Sequence, residues 1–189
     1  MDMKEEKSDK NFPLWANDNL LRRLFRNQKK YCSYITNCQV VADLGCGPGF
    51  FTLALAECVG NKGKVYAVDS DKKAIQALEK KADKRSYRNI EAYISSAHDL
   101  SFIKDGSVDF ILADGLLCTM APQQHESAVK EMKRILKPNG LIYMKVARGP
   151  WSYMKKAEWY QILEGFKVEQ RNDGFPAGHR WAVVSKKDN

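Results

Sequence analysis

Three glycines at alternate positions follow a short apolar run in VVADLGCGPGFFTLALA, residues 40–56. Gly45, Gly47 and Gly49 let the backbone adopt positive φ angles and let a ligand approach where a Cβ atom would block it. An apolar, helix-like run comes next, so the positive end of a helix dipole faces the loop. The segment predicts a strand, a tight turn and a helix, with a loop that binds a nucleotide.

The spacing of the glycines separates two classes of nucleotide ligand. A dinucleotide fingerprint, G-x-G-x-x-G, has its third glycine where this chain has Phe50. The pattern here is D-x-G-x-G-x-G, and Asp43 stands two residues before the first glycine. A carboxylate at that place favours a ligand with a cationic amine over one with a pyrophosphate.

A second carboxylate, Asp69, ends the apolar run KVYAVD, residues 64–69. An acid about 20 residues past the glycines accepts hydrogen bonds from both hydroxyls of a ribose. Because several nucleotide cofactors carry that ribose, Asp69 indicates a ribose without choosing the cofactor.

With these two motifs the chain resembles the class I S-adenosylmethionine-dependent methyltransferases, whose first motif is an acid followed by G-x-G-x-G. Residues 90–102 are similar to the third strand and adenine-contacting turn of that family, and 107–120 to its fourth strand and the loop under the methyl donor. Residues 125–146 are similar to the helix, L-K-P-x-G turn and fifth strand of its small-molecule, type 11-like branch. The resemblance implies S-adenosyl-L-methionine as the donor and S-adenosyl-L-homocysteine as the product.

The resemblance also implies a set of donor-binding residues in the glycine loop and after the second, third and fourth strands. These are Asp43, Gly45, Cys46, Gly47, Asp69, Ser70, Ser96, Ala97, His98 and Asp114. Ser96 departs from the family pattern G-D-A-x-D-L-P-F, in which an acid accepts a hydrogen bond from the adenine amino group. A hydroxyl also accepts that bond but carries no charge, and His98 or Asp99 is an alternative acceptor.

Methyl transfer from a sulfonium depends on alignment and on exclusion of water more than on a protein nucleophile. A base is needed only when the accepting atom carries a proton. The sequence therefore assigns no catalytic residue, and its candidates for a base are Asp114 and His125, with His98 and His179 as alternatives. Asp114 ends the fourth predicted strand, where open α/β sheets place their ligands, so we expect it to contact the methionine end of the donor.

The loop after the fourth predicted strand bears on the methyl acceptor. It reads ADGLLC and lacks the [ND]-P-P-[YF] motif with which enzymes of this superfamily bind a planar amine. The resemblance therefore implies a small molecule that accepts the methyl group on O, S, C or an aliphatic N. The net charge of +8, with five positive charges in residues 21–30, leaves an RNA or protein acceptor as an alternative. A nucleotide-dependent oxidoreductase and a non-catalytic binding module are the alternatives of another class.

The elements that must position these residues alternate along the chain. Strands are predicted at 40–44, 64–68, 90–94, 108–113 and 140–146, helices at 50–58, 71–85, 124–136 and between 152 and 163, and two final strands at 166–173 and 179–187. The short turn between the last two strands predicts an antiparallel hairpin. We therefore predict an α/β fold with a Rossmann-like seven-stranded sheet, mostly parallel with an antiparallel last strand, and helices on both faces.

A chain of 189 residues fits a single domain, predicted at 12–189 after a flexible N-terminus at 1–11. Residues 12–36 are predicted to form an amphipathic helix that covers the donor pocket as a lid, with Phe12, Trp15 and Tyr31, or that packs these rings on the sheet edge. The charged start of the chain predicts a cytoplasmic protein without membrane contact. Five cysteines without C-x-x-C spacing predict reduced thiols, buried at Cys46 and Cys118, and no metal site. Monomer and homodimer both stay open.

Overall fold

A computed structural model of the protein describes residues 27–37, 39–149, 152–173 and 178–187. In these ranges seven strands form one sheet, in the order β3-β2-β1-β4-β5-β7-β6. The strands are β1 (Val40–Leu44), β2 (Lys64–Asp69), β3 (Ile90–Ile94), β4 (Val108–Asp114), β5 (Leu136–Ala147), β6 (Lys167–Asn172) and β7 (His179–Ser185). The helices are α1 (Thr52–Val59), α2 (Lys72–Lys84), α3 (His125–Ile135) and α4 (Lys156–Glu164).

The direction of the strands confirms the predicted fold class. β1 to β5 pair in parallel, and β7 lies antiparallel between β5 and β6. The strand order reverses between β1 and β4, so the carboxyl ends of these two central strands stand side by side. Open α/β sheets bind their ligands in the crevice at such a reversal.

Helices cover both faces of the sheet, as predicted. Successive side chains of a strand point to opposite faces, so each central strand contributes to two apolar layers. One layer contains α1 and α2 and includes Tyr31, Leu55 and Leu112. The other contains α3 and α4 and includes Met132 and Trp159. The sheet therefore holds its carboxyl edge between two packed layers.

The fifth strand begins at Leu136, earlier than the predicted 140. The parallel register jumps there, from Val108 opposite Leu136 to Phe110 opposite Leu141, so the intervening residues of β5 bulge. Lys137 pairs across this bulge with Asp109, at 2.7 Å between Nζ and Oδ1. The L-K-P-N-G segment is thus part of the strand and not a separate turn, because contacts with β4 hold it there.

One prediction about the cysteines was wrong. Cys32 and Cys58 form a disulfide, with Cα atoms 5.8 Å apart, while Cys46 and Cys118 are free and buried as predicted. Cys32 lies in a short 3₁₀ turn (Cys32–Tyr34), and Cys58 lies near the end of α1. The two are 26 residues apart in sequence, a spacing that gives no hint that the fold brings them together.

Some predictions lie outside the described residues. These are the N-terminus at 1–11, the lid segment up to residue 26 with Phe12 and Trp15, and most of the turn before β7. Residues 28–31, within the predicted lid, form a turn. Of the helices in the described ranges, none combines the length and the apolar character that crossing a bilayer requires.

Gly49 illustrates how closely α2 packs on the glycine loop. Its φ is +84°, and a Cβ atom there would lie 2.4 Å from Cδ1 of Leu78, a fully buried side chain of α2. We expect Gly49→Ala to lower the free energy of unfolding by about 2 to 4 kcal/mol, from backbone strain and overpacking together. Urea unfolding would measure the loss.

Gly106→Ala is the matched control for this substitution. Gly106 also has a positive φ, +59°, but an added Cβ would meet no atom within 4 Å. Its loss should be only the conformational cost of about 1 to 2 kcal/mol. Equal losses for the two variants would contradict the close packing of α2 on the loop.

Candidate active site

The glycine loop is fastened to the end of the neighbouring strand β2. The backbone N–H groups of Gly45 and Cys46 donate to the carbonyl of Val68, at 2.8 and 3.1 Å. Gly47 has φ +54°, and a Cβ atom there would meet nothing within 4 Å. Glycine is therefore favoured at this position by its backbone conformation, and open space lies above it for a ligand.

Asp69 joins the loop to β2 through its side chain. Its Oδ2 accepts a hydrogen bond from the Gly47 N–H at 2.8 Å, and its Oδ1 accepts one from the Asp71 N–H at 2.9 Å. A carboxylate oxygen can accept two hydrogen bonds, so these contacts fix the group and leave it able to bind hydroxyls. The structure thus brings Asp69 and Gly47 together at one edge of the crevice.

Asp43 lies beneath the loop and is only 3% exposed. Its Oδ2 accepts a hydrogen bond from the hydroxyl of Thr52, the first residue of α1, at 2.7 Å. This contact ties the end of β1 to the start of the helix that follows the loop. Asp43 therefore acts on the crevice through its charge and through the placement of α1.

The pKa of the Cys46 thiol depends on the electrostatic potential in the loop. Burial raises its pKa well above the usual value, and the charges of Asp43 and Asp69 raise it further. Burial disfavours any charge, but the part of the shift that comes from Asp43 and Asp69 reflects a negative potential, which favours a cation at the same place. The crevice beside the loop is therefore suited to a positively charged ligand.

The segment after β3 borders the same crevice. Its Ser95 N–H donates to the carbonyl of Asp69 at 3.1 Å, which holds the ends of β2 and β3 together. Ser70 is exposed and Ser96 half-buried, whereas Ala97 is buried in the core. In the part of the chain that is described, Nδ1 of His98 is buried without a hydrogen-bond partner. The predicted adenine-side residues thus lie next to Asp69.

Asp114 forms a buried cluster with Tyr31, which the sequence placed in a lid or at the sheet edge, and with Lys145, which the sequence did not place in the site. It is the register partner of Lys145 in β5, whose Nζ lies 2.7 Å from its Oδ1. The hydroxyl of Tyr31 donates to its Oδ2. The Asp114 and Lys145 side chains are 5% and 10% exposed. The one available signal was the interruption of the apolar run LIYMKVA by a lysine.

The surroundings of Asp114 make it a poor proton acceptor. Burial alone would raise its pKa, but the charge and hydrogen bond of Lys145, the hydrogen bond of Tyr31 and the charge of Lys30 lower it below the usual value. A general base works best with a pKa near the operating pH. Burial and the neighbouring Asp114 raise the pKa of Tyr31, so this phenol stays protonated and donates.

Two of the other candidates for a base, His125 and His179, lie elsewhere. His125 is buried at the start of α3, with Nδ1 2.6 Å from Oε1 of Glu158 and Nε2 3.2 Å from the carbonyl of Met120. These contacts link α3 to α4 on the face of the sheet opposite Tyr31, and they occupy both ring nitrogens. His179 stands at the start of β7, beside Ala147. Neither residue is brought to the glycine loop.

Comparison with known families places this site in context. The sequence profile of a family described as "Methyltransferase domain" matches residues 41–140. This range is more than half of the chain and runs from β1 into β5, so it contains the glycine loop, Asp69 and Asp114.

Individual relatives agree with that match. The chain is 30% identical over 128 residues to a demethylmenaquinone methyltransferase from Geobacillus sp. (strain WCH70). The aligned region covers 68% of this chain and 49% of the relative. It therefore spans about half the length of that relative.

Two solved structures share the fold. A SAM-dependent methyltransferase from Aquifex aeolicus superposes with a TM-score of 0.75 at 24% identity, covering 92% of this chain and 100% of the other. A putative rRNA-methylase from Clostridium thermocellum gives 0.74 at 20% identity, covering 91% and 98%.

The lowered pKa of Asp114 predicts how its contribution to stability depends on pH. A carboxyl group with a lower pKa in the folded than in the unfolded protein stabilises the fold at neutral pH, and this contribution disappears below the unfolded value of about 3.9. We expect Asp114→Asn to be less stable than the wild type at neutral pH and the gap to narrow between about pH 4 and pH 2. Denaturant unfolding across this range would measure the gap.

The exposed Asp83, on α2, supplies a control. Asp83→Asn removes the same formal charge without touching the Lys145 pair, since its recorded ion pair is with Arg88 at 3.9 Å. A gap for Asp114→Asn that stays constant from neutral to acidic pH would show that the carboxylate is not stabilised by its neighbours.

Proposed function

The chain belongs to the methyltransferase-domain family, of the class I S-adenosylmethionine-dependent type, and on that basis we propose that it transfers the sulfonium methyl group of S-adenosyl-L-methionine to a small-molecule acceptor by in-line displacement. The observation that carries the proposal is the acidic glycine loop. Open space above Gly47, the fixed carboxylate of Asp69 and the buried charge of Asp43 combine at the carboxyl edge of the sheet.

The residues of the loop fit this donor in both charge and shape. When bound, the donor supplies a methyl group on a cationic sulfur and also carries an ammonium group. Asp69 would hold the ribose hydroxyls, and the charges of Asp43 and Asp69 favour a cation. The carboxylate of Asp43, beneath the glycine loop, would repel a pyrophosphate, which argues against a dinucleotide-dependent oxidoreductase.

The contribution of the chain to the reaction is alignment. Proximity and orientation supply about 7 to 11 kcal/mol in well-placed intramolecular reactions, without a protein nucleophile. Asp114 is held in its ionised form by Lys145 and Tyr31, and His125 is bound to Glu158. Neither is therefore proposed as a base, and the acceptor must reach the donor already able to react.

The proposal of a small-molecule acceptor is supported by two observations. Relatives about 30% identical to this chain are named demethylmenaquinone methyltransferase. The loop ADGLLC also lacks the motif that binds planar amines. An RNA acceptor is the alternative, and most of the basic segment 21–30 on which it depends lies outside the described residues.

Donor binding can be tested at Asp69. We expect Asp69→Asn to weaken the binding of S-adenosyl-L-homocysteine by about 10-fold or more, since two hydrogen bonds to a charged carboxylate become weaker ones. Titration calorimetry would measure the change. Asp83→Asn is again the control, because it removes one acid far from the loop and should leave the affinity unchanged.

The identity of the donor has its own test by thermal unfolding. A ligand at 100 times its dissociation constant adds about 2.7 kcal/mol, a shift of several degrees for a chain of this size. S-adenosyl-L-methionine should give this shift and NAD should not. Stabilisation by NAD alone would overturn the proposal.

The acceptor class can be determined with methyl-labelled donor. We expect label to enter a small-molecule extract and not total RNA, with little dependence on salt. Phosphate contacts would instead give a log–log salt slope of about −0.7 to −0.9 for each phosphate neutralised. Label that enters only the RNA, and is lost when the basic residues of 21–30 are neutralised, would show that the alternative is correct.

A further inference from the structure

The carboxyl edge of the sheet is divided by charge within the described residues. On the side of β1 and β2, Asp43 and Asp69 make it acidic. On the side of β4 and β5, the ammonium groups of Lys145 and Lys30 outnumber the carboxylate of Asp114. The β4–β5 side, next to the glycine loop, therefore carries a net positive charge.

Lys145 is an unusual residue for its place in the fold. It is only 8% exposed, in a strand whose neighbouring residues are apolar. A buried ion pair is often no more stabilising than apolar residues of similar volume, because both charges lose their hydration. A contribution to stability therefore explains the presence of Lys145 and Asp114 only weakly. Buried charge pairs in a cleft are candidates for a functional role.

The position of the pair is that of a ligand site. Asp114 ends β4, and its register partner Lys145 lies two residues before the end of the parallel strand β5, so both side chains lie on the face covered by α1. The loop after Asp114 contacts the glycine loop, since a Cβ atom on Gly45 would lie 3.2 Å from Cδ1 of Leu116. An acceptor beside the donor would therefore lie near Lys145.

Aromatic rings lie beside Lys30 and next to Lys145 in the sheet, where Trp181 is the register partner of Lys145. Tyr31 and Tyr143 have centroids 4.6 Å apart, and Trp181 stacks on Tyr143 at 5.7 Å. Nζ of Lys30 lies 4.5 Å from the ring centroid of Tyr31 and 5.3 Å from that of Tyr143. Lys30 is exposed and Lys145 is buried, so it is the charge of Lys145 that interacts more strongly with an ion than it would in water.

From this arrangement we infer that Lys145, held by Asp114, selects an aromatic acceptor that binds as its oxyanion, a phenolate or a ring-conjugated enolate. The inference rests on the proposed function and names the acceptor class of the same site. The electron pair of the oxyanion forms the new bond to the methyl carbon, while the S–C pair stays on sulfur. Both charges are neutralised, and no proton has to be removed in this step.

Two probes with the same ring test the inference without requiring activity. They are 2-naphthoate, an anion, and 2-naphthamide, its neutral counterpart, added with saturating S-adenosyl-L-homocysteine and followed by equilibrium dialysis. In the wild type we expect naphthoate to bind at least about tenfold tighter than the amide, the effect of one well-placed opposite charge. Lys145→Arg should keep this preference, and Lys145→Met should reduce it to about twofold or less.

Two further variants make the comparison specific. Lys137→Met breaks the other Lys–Asp pair of the same two strands, at the far end of β5, where Lys137 lies 2.7 Å from Asp109. It should leave the preference unchanged. The double variant Asp114→Asn/Lys145→Met removes the ammonium without leaving a buried unpaired carboxylate, so it decides the matter if Lys145→Met does not fold.

The outcomes separate this inference from the proposed function. No preference for naphthoate in the wild type, or a preference retained in folded variants that lack Lys145, would overturn the inference. Failure of the wild type to bind S-adenosyl-L-homocysteine would overturn the proposed function instead. The ratio measured without that ligand would then still show whether Lys145 selects an anion.

Discussion

The hydrogen bond from the Gly47 N–H to the carboxylate of Asp69 is the interaction on which the geometry of the site depends. It joins the loop after β1 to the end of β2, and the Gly45 and Cys46 amides that donate to Val68 repeat the connection. Glycine follows this path without strain and keeps the space above it open. The ligand-binding loop is therefore built mainly from backbone, and the half-buried charge of Asp69 is fixed before a ligand arrives.

The charge division of the crevice follows from the strand order. The chain places β1 and β4 side by side although β2 and β3 come between them in sequence. The acids at the ends of β1 and β2 therefore lie on one side of the reversal, and the Asp114–Lys145 pair lies on the other. A cationic donor and an anionic acceptor would each meet the opposite charge, and the two would also attract each other across the crevice.

Local signals account for what the sequence predicts correctly. The seven strands and the parallel order follow from apolar runs and from alternation with helices, and the glycine loop follows from its spacing. The Cys32–Cys58 disulfide and the cluster of Tyr31, Asp114 and Lys145 depend on contacts between distant segments, which no local pattern records. The roles of all the predicted donor-binding residues, Asp69 and Asp114 included, are still predictions.

The state of Asp114 limits the chemistry that the site supports. A carboxylate with a lowered pKa and two hydrogen-bond donors holds its negative charge but has little tendency to take a proton. His125, bound to Glu158 and Met120, is engaged on the other face of the sheet. Asp114 and His125 therefore hold charge and structure and are poorly suited to take a proton at the glycine loop. Such a site is best matched to an acceptor that ionises on its own, which is the chemistry that the buried ammonium of Lys145 would select.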